Sequence, residues 1–358
     1  MFYAPEGKLT EQAIPALREA ARTGADFIYG DELAIRPDGT ERPIKKPDSS
    51  PDTLLSYNYV GSPLAVSLSL MEKVGGPASD SYAERWAFAL RAYFASVFVL
   101  HIPKVLYIGK ERQPEAETWP VQQALRRLHR PGQVVPASAP GCVTVRYDCP
   151  PETLLSVIVA TKGEPEDVRQ TLNSLEHRNA AVKMEYIVAD GGAPTERADA
   201  YYDALKDCGV VVLRQWHEAN LAKLMNIAAG KAKGEAMLFL RAGDRIMNMD
   251  ALHYMLPFAL LPHVGAVGAW AEEPLKEQAY VQNVRLILRA PLVSRENFRK
   301  ACGFDESFSN DGCEAALSAT LRERQLHLVK TPDAVIALSA QASPRNEKTA
   351  LRCRDLSI

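Results

Sequence analysis

Long apolar runs are scarce in this chain. The most hydrophobic window, Met255 to Ala271, holds two prolines and His263, so it makes a poor membrane span. Paired cysteines are lacking as well. The six cysteines (142, 149, 208, 302, 313 and 353) lie far apart with no C-x-x-C spacing. That excludes a disulfide or zinc framework and predicts reduced thiols in a cytosolic protein. Charge of one sign is missing too. A net charge of -2 gives no basic footprint for nucleic acid and no polybasic membrane anchor. A signal peptide is not expected, because residues 1–20 carry Glu6, Lys8, Glu11, Arg18 and Glu19. What remains is an ordinary globular balance, 47% apolar and 24% charged, in 358 residues, enough for two domains with separate cores.

The stretch from Leu154 to Asp244 is the most regular. Residues 154–160 (LLSVIVA) form a short apolar run bounded by Thr161, Lys162 and Gly163, the mark of a strand buried on both faces. A helix follows, with Pro165 in its first turn and Val168, Leu172 and Leu175 at helical spacing. Residues 186–189 (YIVA) give a second strand, ending at Asp190, Gly191 and Gly192. Residues 210–213 (VVVL) give a third. Leu221, Leu224, Met225 and Ala228 then mark the apolar side of a helix. Residues 237–240 (MLFL) give a fourth strand, which runs into Arg241, Ala242, Gly243 and Asp244. Strands alternating with helices predict an α/β fold, Rossmann-like, with a mostly parallel sheet and right-handed crossovers. Ligands of such sheets sit beyond the carboxyl ends of the strands. Thr161, Asp190 and Asp244 fall at such ends, so one crevice is expected to collect them.

Residues 1–115 read as a first unit. A helix is predicted over Thr10 to Arg22, a strand over 26–30 ending at Asp31 and Glu32, a helix over Trp86 to Ala95 and a strand over 97–102. Residues 45–52 are too proline-rich for a regular element. Residues 116–151, rich in Pro and Gly, read as a connector with a basic helix near Leu125 to His129 and a strand over 143–147. The second unit spans 152–340, and 341–358 read as a tail. A weak internal repeat aligns 1–9 with 238–246, 74–76 with 301–305, and 99–106 with 328–335. On that alignment the first unit matches only the carboxyl-terminal half of the second.

At these residues the chain resembles family-2-type glycosyltransferases of the GT-A fold, in particular the tandem bacterial proteins of polysaccharide and O-antigen synthesis. The resemblance rests on SVIVATK (156–162), EYIVADGG (185–192), NLAKLMNIAAGKAKGE (220–235), VGAVGA (264–269), CGFDESF (302–308) and LRERQL (321–326), in family order. The first unit resembles the C-terminal half of such a domain through FIYGDE (27–32), KPDSSPDTLLSYNYVG (46–61) and HIPKVLY (101–107). Such order is specific for the fold and less so for the activity.

The resemblance implies a nucleotide-sugar donor, Mg²⁺ or Mn²⁺ as cofactor, and direct displacement onto a glycan or lipid-linked acceptor in cell-surface polysaccharide synthesis. A cytoplasmic protein without a nucleic-acid partner is expected, and peripheral contact with the inner membrane and with other polysaccharide-synthesis proteins stays open. Thr161, Lys162, Asp190 and Asn226 are the matching nucleotide-side positions. Asp190 is either a nucleoside contact or the acceptor capping the Gly-Gly turn. The acidic triplet falls on Arg241, Ala242 and Gly243, with Asp244 one residue later. Asp244 is the candidate metal ligand; Arg241 is a candidate for pairing with the diphosphate directly, as a planar fork does. The alternative makes Arg241 a solvated strand end and Asp244 a helix cap. The base position falls on Cys313 and Glu314, with Asp311 as a nearby substitute; both acids equally suit a helix start. No histidine stands at the closing motif, 337–339. Two functions stay open: an active transferase, or a catalytically degenerate module that binds a nucleotide, a glycan or a partner.

Overall fold

The computed structural model describes residues 1–111, 116–163, 165–176, 181–271, 280–308 and 312–339. Asp311 and the predicted tail lie outside them. The chain divides into two compact units, Met1–Tyr147 with Leu275–Gln282, and Asp148–Pro274 with Asn283–Ile358.

The first unit contains, in order, β1 (Lys8–Leu9), α1 (Ala13–Arg22), β2 (Phe27–Ile35), β3 (Glu41–Ile44), α2 (Pro51–Leu54), β4 (Leu64–Val66), α3 (Leu68–Val74), α4 (Tyr82–Ala95), β5 (Val99–Lys110), α5 (Trp119–Arg127), β6 (Gly132–Pro136) and β7 (Val143–Tyr147). Its main sheet runs β1-β5-β2-β3, with β4 also on β2. Helix α1 forms because Ala13, Leu17 and Ala20 recur on one face; they are buried with Ile28 and Leu106. Strand β2 does not stop at Asp31. It runs on to Ile35, because β5 and β3 pair with its second half. Asp31 is therefore an internal strand residue, bonded to the His101 ring at 2.8 Å. Trp86 is wholly buried and donates to the Leu54 carbonyl, so it is core.

The second unit contains β8 (Leu154–Thr161), α6 (Pro165–Glu176), β9 (Lys183–Asp190), α7 (Glu196–Asp207), β10 (Val211–Arg214), α8 (Leu221–Ala229), β11 (Ala236–Arg241), β12 (Arg245–Ile246), α9 (Ala251–Ala259), β13 (Val264–Trp270), β14 (Gln282–Val284), β15 (Leu292–Ser294), α10 (Arg295–Lys300), α11 (Cys313–Glu323) and β16 (His327–Ala337). The sheet order is β10-β9-β8-β11-β15-β13-β16-β12, with β14 beside β16. Strands β10, β9, β8 and β11 are mutually parallel, as the alternating pattern predicts. Helix α7, which the apolar pattern did not announce, links β9 to β10; Thr195 caps it through the Ala198 N–H. The core on one face joins Ile158, Ile187, Leu224, Met225 and Phe239. Phe239, Phe298 and Phe304 form a ring cluster at 4.8–5.2 Å. Among the described residues, no helix is long and apolar enough to cross a membrane, and five cysteines are unpaired thiols.

The two units share a run of pairings. In the first, β1 lies antiparallel to β5, β5 parallel to β2, and β2 antiparallel to β4. In the second, β12 lies antiparallel to β16, β16 parallel to β13, and β13 antiparallel to β15. A capping serine opens the next helix in each, Ser67 for α3 and Ser294 for α10.

Candidate active site at the carboxyl ends of the parallel strands

The chain leaves β11 through a tight turn, Arg241 to Asp244. The Asp244 N–H returns to the Arg241 carbonyl at 3.0 Å, and the Arg241 N–H returns to the Asp244 carboxylate at 3.1 Å. Gly243 has φ +92°, and a Cβ there would meet Ser339, so both conformation and space require glycine. Its N–H reaches the Asp167 carbonyl and Thr171 Oγ1 of α6. These bonds fix where Arg241 and Asp244 point.

Asp244 is fully buried. Its Oδ1 accepts from Arg289 Nη2 at 2.7 Å and from the Ser339 N–H at 3.0 Å, while Oδ2 accepts from the Arg241 N–H at 3.1 Å. Both oxygens are thus held by cationic or N–H donors. Glu314, at the start of α11, is buried as well. Its Oε1 accepts from Arg241 Nη2 at 2.7 Å, and its Oε2 accepts from the Cys313 thiol at 3.1 Å. Burial and the neighbouring carboxylate push the Cys313 thiol well up. The result is two arginine–carboxylate pairs, Arg241 with Glu314 and Arg289 with Asp244, at one end of the sheet.

A cavity of about 250 Å³ opens here, at the ends of β8 and β11. Thr161, Lys162, Arg241 and Arg289 line it, with Asp167 the single carboxylate on its wall among the described residues. Asp244 and Glu314 stand behind the arginines they bind and do not line it. Thr161 is buried, and its Oγ1 accepts from the Gly163 N–H. Lys162 Nζ donates to the Ala219 carbonyl at 2.9 Å.

Asp190 and Asn226 stand outside those walls. The Asp190 carboxylate accepts from the Gly192 N–H at 2.8 Å, so the capping role is present. Arg214, at the end of β10, lies 3.1 Å from its other oxygen and stacks on Tyr202. Burial pushes the Asp190 carboxyl up, against the opposing pull of Gly192 and Arg214. Asn226 faces the loop before α11. It donates to the Phe304 carbonyl and to Glu306, and accepts from the Phe304 N–H at 2.9 Å. It clamps that loop to α8.

The sequence-predicted residues therefore separate. Thr161, Lys162 and Arg241 share the cavity; Asp190 and Asn226 do not reach it. Glu314 as a base does not suit this arrangement, since both its oxygens are engaged and Arg241 stands between it and the cavity. Asp244 as a helix cap is not seen either: α9 begins at Ala251, and Asp244 closes its own turn. Arg289 and Arg214 escaped sequence reasoning. Neither sits in a periodic or motif-like run, and only the sheet order brings them to these strand ends.

Mg²⁺ or Mn²⁺ does not fit the donor set. Hard divalent ions take six or more oxygen ligands, and the Asp244 oxygens already face a guanidinium and two N–H groups. Among the described residues, no group of three or more His, Cys, Asp or Glu side chains comes together to hold a metal.

Residues 156–319 match the family model for glycosyl transferase family 2. That segment is just under half of the chain. The matched segment runs from β8 into α11, and its mixed α/β sheet is the architecture expected of a GT-A fold. The chain is 25% identical over 393 aligned residues to the O-antigen biosynthesis protein RfbC of Myxococcus xanthus, covering 96% of this chain and 31% of that protein. The chain thus spans about a third of the length of that relative. Among solved structures, GalNAc-T7 with UDP, GalNAc and Mn²⁺ aligns with TM-score 0.47 and 15% identity, over 57% of this chain and 48% of the other. A mannosyltransferase from Pyrobaculum calidifontis, in complex with GDP-Man and Mn²⁺, aligns with TM-score 0.45 and 18% identity, over 66% and 68%.

Proposed function

We propose that this chain transfers a sugar from a nucleotide-sugar donor to a glycan or lipid-linked acceptor in cell-surface polysaccharide synthesis. The observation that carries the reading is a cavity at the carboxyl ends of β8 and β11, lined by Thr161, Lys162, Arg241 and Arg289 of the segment that matches the transferase family. In the reaction, a bond forms from the acceptor oxygen to the sugar's anomeric carbon. The bond to the diphosphate breaks, and its electron pair leaves with the diphosphate. Lys162, Arg241 and Arg289 suit the charge that develops there. The acceptor's proton needs a base. Glu314 serves that role only if its bonds to Arg241 and Cys313 open.

That engagement also favours a second reading, a module that binds a nucleotide-sugar without turnover. A panel of radiolabelled nucleotide-sugars separates the two, with lipid-linked and soluble glycan acceptors supplied. Transfer or slow hydrolysis that is lost in Arg241→Ala supports the transferase. Binding of the same sugar nucleotide without release of nucleoside diphosphate supports the module. The domain roles follow the same proposal: the second unit is the transferase domain, and the first is a partial glycosyltransferase-like unit supporting acceptor binding or assembly. Its shared strand pairings with β12 to β16 support that assignment. Cytoplasmic placement, membrane-peripheral contact and association with other polysaccharide-synthesis proteins belong to the same proposal.

A further inference from the structure

We infer that the first unit carries a membrane-docking surface, an apolar tip of Leu68, Val97 and Phe98 beside a cationic groove, which seats on a bilayer containing anionic phospholipid. The inference rests on the membrane-peripheral part of the proposed function, names the surface that makes the contact, and does not depend on the transfer reaction. Three observations carry it. Leu68 is 72% exposed, Val97 94% and Phe98 40%. Asp26 draws together the two segments that bear them. Its carboxylate accepts from the Val97 and Phe98 N–H groups, each at 2.9 Å, and its carbonyl accepts from the Ser67 N–H at 2.9 Å. A groove of about 390 Å³ opens between α3, α4 and α5, with Lys73, Arg91 and Arg127 on its walls and, among the described residues, no carboxylate.

Clustered apolar side chains on a surface mark a place that something else covers. The tip is held before it meets anything. Ser67 caps α3 through the Leu70 N–H, and Asp26 fixes the turn into β5 from two N–H groups. Little ordering entropy is then left to lose on docking. The groove adjoins the tip. Lys73 follows Leu68 on α3, and its Nζ donates at 3.2 Å to the Ala95 carbonyl, just before the turn that bears Val97. Arg91 donates to the Gly76 carbonyl at 2.9 Å. Neutral carbonyls leave both charges uncompensated. Burial and the neighbouring Arg127 charge pull the Arg91 guanidinium down, with Glu84 opposing, so like charges crowd the groove and an anion relieves them. The acids of these helices, Glu72 and Glu84, are not on its walls. The three cations come from three helices, which is why no basic run marks them in the sequence. A side chain as exposed as Val97 needs a matching hole in a protein partner, whereas a bilayer closes around any convex shape. Apolar insertion and attraction to anionic headgroups reinforce each other, and stable peripheral binding takes two such signals.

The test is co-sedimentation of the intact chain with phosphatidylcholine vesicles, with and without about one third phosphatidylglycerol. The chain should bind the phosphatidylglycerol vesicles about tenfold or more tighter than the neutral ones, and that preference should fade as salt rises. Leu68→Gln with Val97→Gln, at exposed positions whose backbone bonds are kept, should weaken binding about tenfold. Lys73→Gln with Arg127→Gln should weaken binding to the anionic vesicles about tenfold or more and leave binding to the neutral ones unchanged. Wild-type melting temperatures in both double variants keep folding out of the comparison. No binding to either vesicle overturns the inference and the membrane contact, and leaves transfer to a soluble acceptor standing. Vesicle binding that survives both double variants overturns the assignment to this surface and leaves membrane contact standing. A dimer in sedimentation velocity that Leu68→Gln with Val97→Gln abolishes, without vesicle binding, gives the tip to a second copy of the chain and overturns the inference.

Discussion

Glu314 is the residue whose role differs most between sequence and structure. Its position at the start of α11 suits a general base, yet in the fold it is the counter-ion of Arg241. Breaking a buried pair by neutralising one partner leaves the other charge uncompensated. Glu314→Gln is therefore expected to lower the unfolding free energy by about 3 kcal/mol in urea titration. A side chain kept only as a base would show little change. Asn226 likewise reads as a nucleotide-side residue in the sequence but acts as a clamp in the fold. Its three bonds to Phe304 and Glu306 bridge α8 and the loop before α11. Asn226→Ala should cost about 1–3 kcal/mol of stability, with nucleotide-sugar binding falling less than in Arg241→Ala. An Asn226→Ala protein as stable as wild type would contradict the clamp.

At the scale of elements, the four parallel strands were legible because burial on both faces demands near-continuous apolar runs, and such runs survive in the bare sequence. Strand β10 was shifted by one residue in that reading, since Arg214 pairs with β9 and a charged residue does not announce a strand. Helix α7 was missed for a related reason: only Ala198 and Tyr202 are buried along it, so its sequence shows no apolar stripe. The turn after β9 depends on close approach. A Cβ on Gly191 would strike the Glu218 carbonyl and Leu224. Gly191→Ala is expected to destabilise by about 1–3 kcal/mol by overpacking against backbone, read as a lowered urea midpoint at unchanged slope. On β16, burial pulls the Lys330 ammonium below the usual lysine range, with the Trp270 ring 5.2 Å away. A lysine whose folded pKa is lowered binds its proton less well folded than unfolded. Stability is then reduced below the folded pKa and recovers as pH rises through it. Lys330→Met should therefore raise Tm at pH 7, and the gain should shrink toward pH 10. A gain that is constant or grows with pH would contradict the sign.

For the molecule as a whole, the sequence carried the fold further than the site. Motif order reports packing, and packing is what the parallel sheet and its ring cluster require. The site depends on which side chains meet across distant strands. Arg289 reaches Asp244 from 45 residues away and Ser339 from 95, and no local pattern records either meeting. The strand pairings that the two units have in common are set along whole strands and not by single distant contacts. In the proposed function the donor binds where β8 and β11 end. Hydrogen exchange with and without a saturating nucleotide-sugar addresses it directly. New protection is expected at residues 160–163 and 241–243, at those strand ends. Protection confined to other surfaces, with those amides unchanged, would contradict it.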